Sequence, residues 1–552
     1  MKKATLIFVI LLQLAMLTPL SAQQKAVNLL DSARVYYEKK DFKKSFEFYE
    51  AYHANPTQGT NNLDTYFAAV TACHAGNIER AKFYLKWSAS IGYDIPDYKK
   101  YEMDEASACM KDLPEWQSYI KVFKLKSDSL VAMLTNTTNE LNDTTNRINN
   151  TILLNDTYWK NIASKSSAHQ LTNKIKHFNE YPVTKKDNFW TLYNIKVNDT
   201  LTVPFLVHIP KNYNAKKRTS LYVYLHGAVV NRPKFANPAY IPTSLEATIM
   251  TKGMQQEAFI IYPFGRKDFA WLYQQQAFET ILLEISHVKS LYNIDDNKVY
   301  IGGHSNGGSG AFWFAVNKPS TFSAFFGLNY YPKVYSSNTS LRNLRNNTPF
   351  YGISGSEDRA FPISIVDAIY NYGTSNGSNW KNFTKKGDHG LPFSNRDSIN
   401  FIFDTLASKT RNPFPKKIEW ETDNVKNGRN AWLEIIELDT LAEKANWHNE
   451  LNPTVTQNGK AGIIDFNKNK SGAVKASVEE NTIKIETSRV KRIKLYISAD
   501  MFDLNQQIKL IINGKDYINL KLSPDKNVIL EEFLKTKDRD FIVANKIEFT
   551  VK

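Results

Sequence analysis

Gly303-His304-Ser305-Asn306-Gly307-Gly308 follows a β-branched and aromatic run at 298–301 and precedes the helix-compatible residues 311–316. A serine between two glycines at a strand-to-helix junction is pushed out on a tight turn, beside a helix N-terminus that favours developing negative charge. Ser305 is therefore the candidate nucleophile for attack on a carbonyl carbon. Its hydroxyl has too high a pKa to attack unaided, so a histidine must take the proton and an acid must orient that histidine.

Downstream of Ser305 the chain holds only His389 and His448. His448 lies in a β-rich tail, whereas His389, in Gly387-Asp388-His389-Gly390, follows a short apparent strand and precedes a helix, as a loop-borne base does. Between nucleophile and base the acidic residues are Glu357, Asp358, Asp367 and Asp388. Asp358 is the expected acid and Glu357 its rival, because both follow directly on the strand-like run 349–353. Asp367 reads as a helix-surface charge, and Asp388 adjoins the base too closely to orient it. The order Ser, Asp, His along the chain fits one of the known orders of such triads. The oxyanion formed on attack needs two N–H donors: the amide of Asn306, next after the nucleophile, and that of Ala228, in the Leu225-His226-Gly227-Ala228 turn that ends an earlier strand. His226 reads as structural, since no HxxxH pattern or carboxylate pair accompanies it. No metal and no cofactor are expected.

The elements that must position these residues lie in 187–413. Apolar runs at 221–225, 258–262, 298–301 and 349–353 alternate with helical stretches such as 277–285, the pattern of a mostly parallel sheet buried on both faces. The turn Leu225-His226-Gly227, the helix ending Leu291-Tyr292-Asn293-Ile294-Asp295, and Gly303-His304-Ser305-Asn306-Gly307-Gly308 resemble the α/β-hydrolases grouped with feruloyl esterases, polyhydroxybutyrate depolymerases and the catalytic domain of prolyl oligopeptidase-like enzymes. The resemblance covers 197–412 and implies a hydrolase using Ser305, Asp358 and His389. The chain departs from that pattern in its oxyanion loop, His-Gly-Ala-Val instead of Gly-rich, and at Leu391, where an aromatic is common.

The flanks have other periods. Met1-Lys2-Lys3, an apolar stretch and Leu20-Ser21-Ala22 have the layout of a signal peptide, residues 1–22, which places the product in the periplasm or outside the cell. No later run is long and apolar enough to span a membrane. Across 23–123, Lys40-Asp41-Phe42 and Gly76-Asn77-Ile78 recur at an offset of 36 with small residues on the preceding helices. This resembles tetratricopeptide repeats, whose period is about 34 residues, and implies a surface for a protein or peptide partner. Residues 124–186, rich in Asn, Thr and Asp, read as a helical or flexible linker. Residues 414–552 alternate with period 2, and Asn513-Gly514 marks a hairpin, so a β-sandwich-like domain is expected.

The fold class is thus multidomain: an α-helical repeat domain, an α/β-hydrolase domain and a C-terminal β-rich domain. Two cysteines in 552 residues, Cys73 and Cys109, exclude a disulfide scaffold and leave a single pairing open. The net charge of +15 comes from scattered lysines with no basic-aromatic stripe, so no nucleic-acid partner is expected. The function expected is hydrolysis of carboxylic esters, small or polymeric, with acylated carbohydrate as one candidate substrate. Its rivals are a peptidase on the same triad and a non-catalytic binding or scaffold protein. A fragment of 187–413 is expected to suffice for hydrolysis of a small ester.

Overall fold

A computed structural model of the chain describes residues 29–54, 62–90, 98–124, 155–182, 190–228, 256–265, 271–390, 396–457 and 460–551. The expected signal peptide and Leu391 lie outside the described residues. The chain divides into two compact units, one holding the described residues up to 124, the other those from 155 onward.

In the first unit, helices α1 (Phe42–His53), α2 (Asn62–His74) and α3 (Ile78–Ser90) carry the repeated pattern. The turns that enter α1 and α3 are closed in the same way. The Asp41 amide donates to the Tyr36 carbonyl and that of Lys40 to Tyr37, just as Asn77 donates to Ala72 and Gly76 to Cys73. Lys40 and Gly76 both sit at positive φ, +58° and +79°. This is the paired-bond helix ending that calls for a left-handed residue, met once by glycine and once by lysine. Ala33, Ser45, Ala69 and Ala81 are fully buried, so the small residues read from the sequence are core positions. Cys73 and Cys109 are joined in a disulfide.

The second unit is built on an eight-stranded mixed sheet in the order β1-β2-β4-β3-β5-β6-β7-β8. Its strands are β1 (Trp190–Lys196), β2 (Thr202–His208), β3 (Thr219–Leu225), β4 (Phe259–Pro263), β5 (Ile294–His304), β6 (Ala324–Leu328), β7 (Phe350–Gly355) and β8 (Trp380–Lys385). β2 pairs antiparallel with β1 and β4, and every pairing from β4 through β8 is parallel. All residues of β4 and β6 are buried, which explains their unbroken apolar runs: helices cover both faces, so no position is left to water. Phe325 and Phe326 are neighbours on β6 and point to opposite faces. On Phe325's side, Phe350 packs against Phe312 of helix α4 (Asn306–Asn317), and Trp313 of α4 stacks on Phe278 of helix α5 (Gln275–Leu291) at 3.8 Å. On the other side Phe326 meets Phe403 of helix α6 (Arg396–Ala407).

From Lys417 two further sheets, one of five strands and one of four, enclose a common core that includes Trp420, Trp432, Leu495 and Leu510. Asn513 and Gly514, at φ +49° and +76°, turn the expected hairpin between Ile512 and Lys515. This part also contains a helix, Lys526–Thr536, that alternation did not foretell. Within the segment expected to be a linker, helices Asp156–Ser164 and Ala168–Lys176 bury Trp159, Leu171 and Ile175 against Ile529 and Phe533 of that C-terminal helix. The apolar residues there are few, but they fall on one face and find a partner about 370 residues away in sequence.

Charges seal the junction between the mixed sheet and the C-terminal part. Arg411 grips Asp538 in a bidentate pair at 2.6 and 3.0 Å, and Arg539 pairs with Asp296 at 3.1 Å; all four side chains are buried. Arg342 reaches Glu421 at 3.2 Å. Among the described residues no helix is long and apolar enough to cross a membrane, and no group of His, Cys, Asp or Glu is placed to hold a metal.

Candidate active site

The structure brings Ser305, His389 and Asp358 together at the C-terminal ends of β5, β7 and β8. Ser305 joins β5 to α4 at φ +56°, ψ −122°, a conformation that costs a non-glycine residue on the order of 1–3 kcal/mol and fixes where the hydroxyl points. The two glycines flanking it have a steric cause. A Cβ on Gly303 or Gly307 would collide with the Leu225 carbonyl oxygen, so only glycine lets the end of β3 and the serine turn meet. That contact carries the Leu225-His226-Gly227 turn up against the serine: a Cβ on Gly227 would stand 3.6 Å from Ser305 Cβ.

His389 Nε2 lies 3.0 Å from Ser305 Oγ, and His389 Nδ1 lies 2.8 Å from Asp358 Oδ2. With Nδ1–H donating to the carboxylate, Nε2 is left as the acceptor for the serine proton. Asp358 is held from behind, its Oδ1 accepting from the amides of Ala360 and Phe361 at 2.8 and 3.0 Å. Its side chain is buried, whereas Glu357 is exposed. Of the two candidate acids the structure places only Asp358 against the imidazole. Asp367 instead accepts from Asn382, and Asp388 caps its own turn by accepting from the Gly390 amide. His448 lies elsewhere, buried between Ser488 and Glu421 in the C-terminal part.

Asn306 opens α4, so its amide has no partner within the helix. The orientation of Ala228 is set by His226. The Gly265 amide donates to His226 Nε2 at 2.8 Å, which makes Nδ1 the protonated nitrogen, and Nδ1–H donates to the Gly227 carbonyl at 2.8 Å. Because a trans peptide sets C=O and N–H antiparallel, fixing the Gly227 carbonyl on His226 turns the Ala228 amide away from that ring. Burial pushes the His226 pKa down to about 4, so the ring stays neutral at neutral pH and keeps this donor pattern. His226 is therefore structural in a specific sense: it holds the loop that bears the second candidate oxyanion donor.

Three contributors escaped the sequence reading. Asn329, buried and at φ +44°, follows β6 and bridges the loops of acid and base. Its Nδ2 donates to the carbonyls of Asp388 (2.9 Å) and His389 (2.6 Å), while its Oδ1 accepts from the Gly355 amide at 2.8 Å. The signal for it was Ala324-Phe-Phe-Gly-Leu328, an apolar run that reads as a buried strand between nucleophile and acid. His304, lowered to about 4 chiefly by burial, donates from Nε2 to the same His389 carbonyl at 2.8 Å. Phe361 sets its ring edge-on to His389 at 5.3 Å and stacks with Tyr331; Tyr335 and the exposed Tyr273 form a second aromatic pair at 5.5 Å.

No protein-family model matches the chain, and no curated protein matches it in sequence. Among solved structures it is similar to a thermostable esterase, at 16% identity over 40% of this chain and 63% of that one, with a TM-score of 0.33. It is also similar to the fluorophosphonate-binding serine hydrolase F of Staphylococcus aureus, at 14% identity over 40% of this chain and 98% of that one, TM-score 0.32. A third is the acylaminoacyl peptidase of Pyrococcus horikoshii, at 17% identity over 41% and 43% of the two chains, TM-score 0.32. The chain thus spans less than two thirds of the length of the first and third of these.

Proposed function

We propose that this protein is an exported serine hydrolase that cleaves carboxylic esters through an acyl-enzyme, and that acylated carbohydrate is its substrate class. The observation that carries the reading is the continuous hydrogen-bond chain from Ser305 through His389 to Asp358, with the serine on a strained turn at a helix N-terminus.

In this reading His389 Nε2 takes the Ser305 proton as Oγ bonds to the ester carbonyl carbon. The carbonyl π electrons move onto oxygen, where the Asn306 and Ala228 amides meet the negative charge. The tetrahedral centre then collapses, the C–O bond to the alcohol breaks, and His389 returns its proton to the departing oxygen. A water molecule repeats the sequence on the acyl-serine, releasing the acid and restoring Ser305. Asp358 stays ionised and keeps Nδ1 protonated throughout. Such an apparatus transfers only a proton and an acyl group, and no cofactor enters it.

The stacked rings of Phe361 and Tyr331 beside His389 support carbohydrate as the alcohol part. Tyrosines present an apolar face with a polar edge, which suits the C–H face and hydroxyl rim of a sugar ring. The helical unit supports a role in holding a protein or peptide partner, as tetratricopeptide-like repeats do, and the Cys73–Cys109 disulfide fits an oxidising compartment such as the periplasm.

The test is labelling of the full chain with a fluorophosphonate, followed by mass spectrometry of the modified peptide. Modification at Ser305, and a loss of ester turnover of roughly 10³-fold or more in Ser305→Ala, is the expected result. Modification elsewhere, or an active Ser305→Ala protein, would remove the proposal. Comparing acetylated sugars with peptide amides then separates esterase from peptidase.

A further inference from the structure

A cavity of about 260 Å³ lies between helix α5, residues 318–321 and the C-terminal segments 429–431 and 535–541. It is remote from Ser305. Arg411, in its wall, donates to the Ser320 carbonyl and to Asn297 Oδ1, and Asn297 sits near the N-terminal end of β5, whereas Ser305 follows the C-terminal end. Eight strand residues separate the two levels by roughly 25 Å.

The charges of the wall are one-sided. Lys289, Lys318, Arg411, Arg429 and Lys535 line it against the single carboxylate of Asp538. Four of the five cations have carboxylate partners: Lys289 has Asp296, Arg411 has Asp538, Lys535 has Glu531 and Glu532, and Arg429 has Glu532 at a loose 3.5 Å. Lys318 differs from them. Its ammonium donates to the main-chain carbonyl of Lys426, and among the described residues no carboxylate forms an ion pair with it. Burial lowers its pKa, with Glu434 and Glu279 offsetting part of the effect from a distance and the Arg429 guanidinium adding to it. Ser286, Ser320, Thr321 and Thr536 also line the cavity, and Leu282, Ile285, Ala431 and Phe541 give it an apolar side. A neutral ligand would leave the excess of cations in the wall unmatched, and a bare inorganic ion would leave the apolar wall wet.

We propose that this cavity is a second ligand site, taking a small organic oxyanion, a phosphate monoester or a carboxylate, whose charged head meets Lys318 and Arg429 and whose hydrocarbon body packs on Leu282 and Phe541. The site is formed jointly by the mixed-sheet part and the C-terminal part, so an occupied cavity ties the two together. It is independent of the chemistry at Ser305.

The test is isothermal titration calorimetry of the full chain with phenyl phosphate and with phenylacetate, inorganic phosphate serving as the head group alone. Saturable one-to-one binding of at least one aromatic anion is expected, weakening as salt is raised. Lys318→Met should weaken it roughly 10-fold or more, the scale of a charge-assisted hydrogen bond. Ser286→Trp, which fills the cavity from α5 without changing any charge, should abolish it while ester turnover is retained. Thermal unfolding and near-ultraviolet circular dichroism show whether each variant is folded. No saturable binding to the unaltered chain overturns the proposal, as does binding that persists in Ser286→Trp. Inorganic phosphate binding as tightly as phenyl phosphate would overturn the assignment of an apolar body.

Discussion

Asn329 offers the sharpest test of how the base is held. Its side chain makes three hydrogen bonds, to the carbonyls of Asp388 and His389 and from the amide of Gly355, and so ties the loop after β8 to the end of β7. Asn329→Gly removes all three without adding strain, because glycine accepts the φ of +44° that most residues resist. At about 1 kcal/mol for each bond, some 3 kcal/mol of positioning is at stake. Part of it will appear as lost stability and part as misplacement of the imidazole, so a fall in kcat of roughly 10- to 100-fold is expected. The Asn329 side chain bonds to main-chain groups of the two loops and not to Ser305, so KM for a small ester such as p-nitrophenyl acetate should move by no more than about 2-fold on the same reasoning. A merely structural role would lower the yield of folded protein and leave the kcat of the folded fraction in place, so the split between kcat and KM is the readout. Asn329→Asp, which sets carboxylate oxygens against two carbonyl oxygens, should be at least as slow. A folded Asn329→Gly protein with unaltered kcat would refute the reasoning.

Asp358→Asn should lower kcat by roughly 10⁴-fold through the wrong imidazole tautomer, while Glu357→Gln stays near the unaltered rate; kinetics on one small ester ranks them, and the reverse ranking moves the role of acid to Glu357. Stability should fall with acid: His226 and His304 have folded pKa values of about 4 against 6.5 when exposed. The unfolded chain therefore binds more protons between those values, and the stability these groups contribute is intact above about pH 6.5 and lost as pH falls toward 4, by at most about 3 kcal/mol for each. Urea midpoints at pH 7.5, 6 and 5 check this, and a flat series would count against neutral, buried rings. The fragment 187–413, which the sequence marked as sufficient, should be less stable than the full chain, because it loses Asp538, the carboxylate partner of Arg411, and Arg539, which bonds to Asp296, Asn293 and Ile294, while Asp296 keeps Lys289. Breaking one buried pair costs about 3–5 kcal/mol, a large part of the ~5–15 kcal/mol that holds a domain; a thermal midpoint equal to that of the full chain would contradict it.

The candidate nucleophile, the candidate base and the strands beneath them were legible because each is encoded within a few consecutive residues. Gly303 to Gly307 must turn tightly, His389 was the only downstream histidine outside the β-rich tail, and runs such as 221–225 and 258–262 are apolar because both faces of their strands are covered. The rivalry of Glu357 and Asp358 was not local. Adjacent residues on a turn point to different sides, and only the position of the β8 loop decides which carboxylate meets the imidazole. Asn329 shows the same limit, since its function is to join Gly355, Asp388 and His389, which come together only when β6, β7 and β8 lie side by side.

The segment expected to be a linker and the boundary near residue 413 mark what composition cannot convey. Trp159, Leu171 and Ile175 are sparse by count, yet they form a core with Ile529 and Phe533, because burial depends on whether a distant partner supplies the opposing face. Arg411 and Arg539 look like ordinary surface charges in sequence and are buried by pairing with Asp538 and Asp296. The sequence by itself thus determined the chemistry that short-range geometry imposes: a serine on a strained turn, a loop-borne histidine, a sheet buried on both faces, a hairpin at Asn513-Gly514. Which carboxylate meets the imidazole, what ties down the histidine loop and where one part of the chain depends on another follow only from the folded chain, because those are contacts between residues tens to hundreds of positions apart, and each residue's own sequence neighbourhood carries no record of its partner.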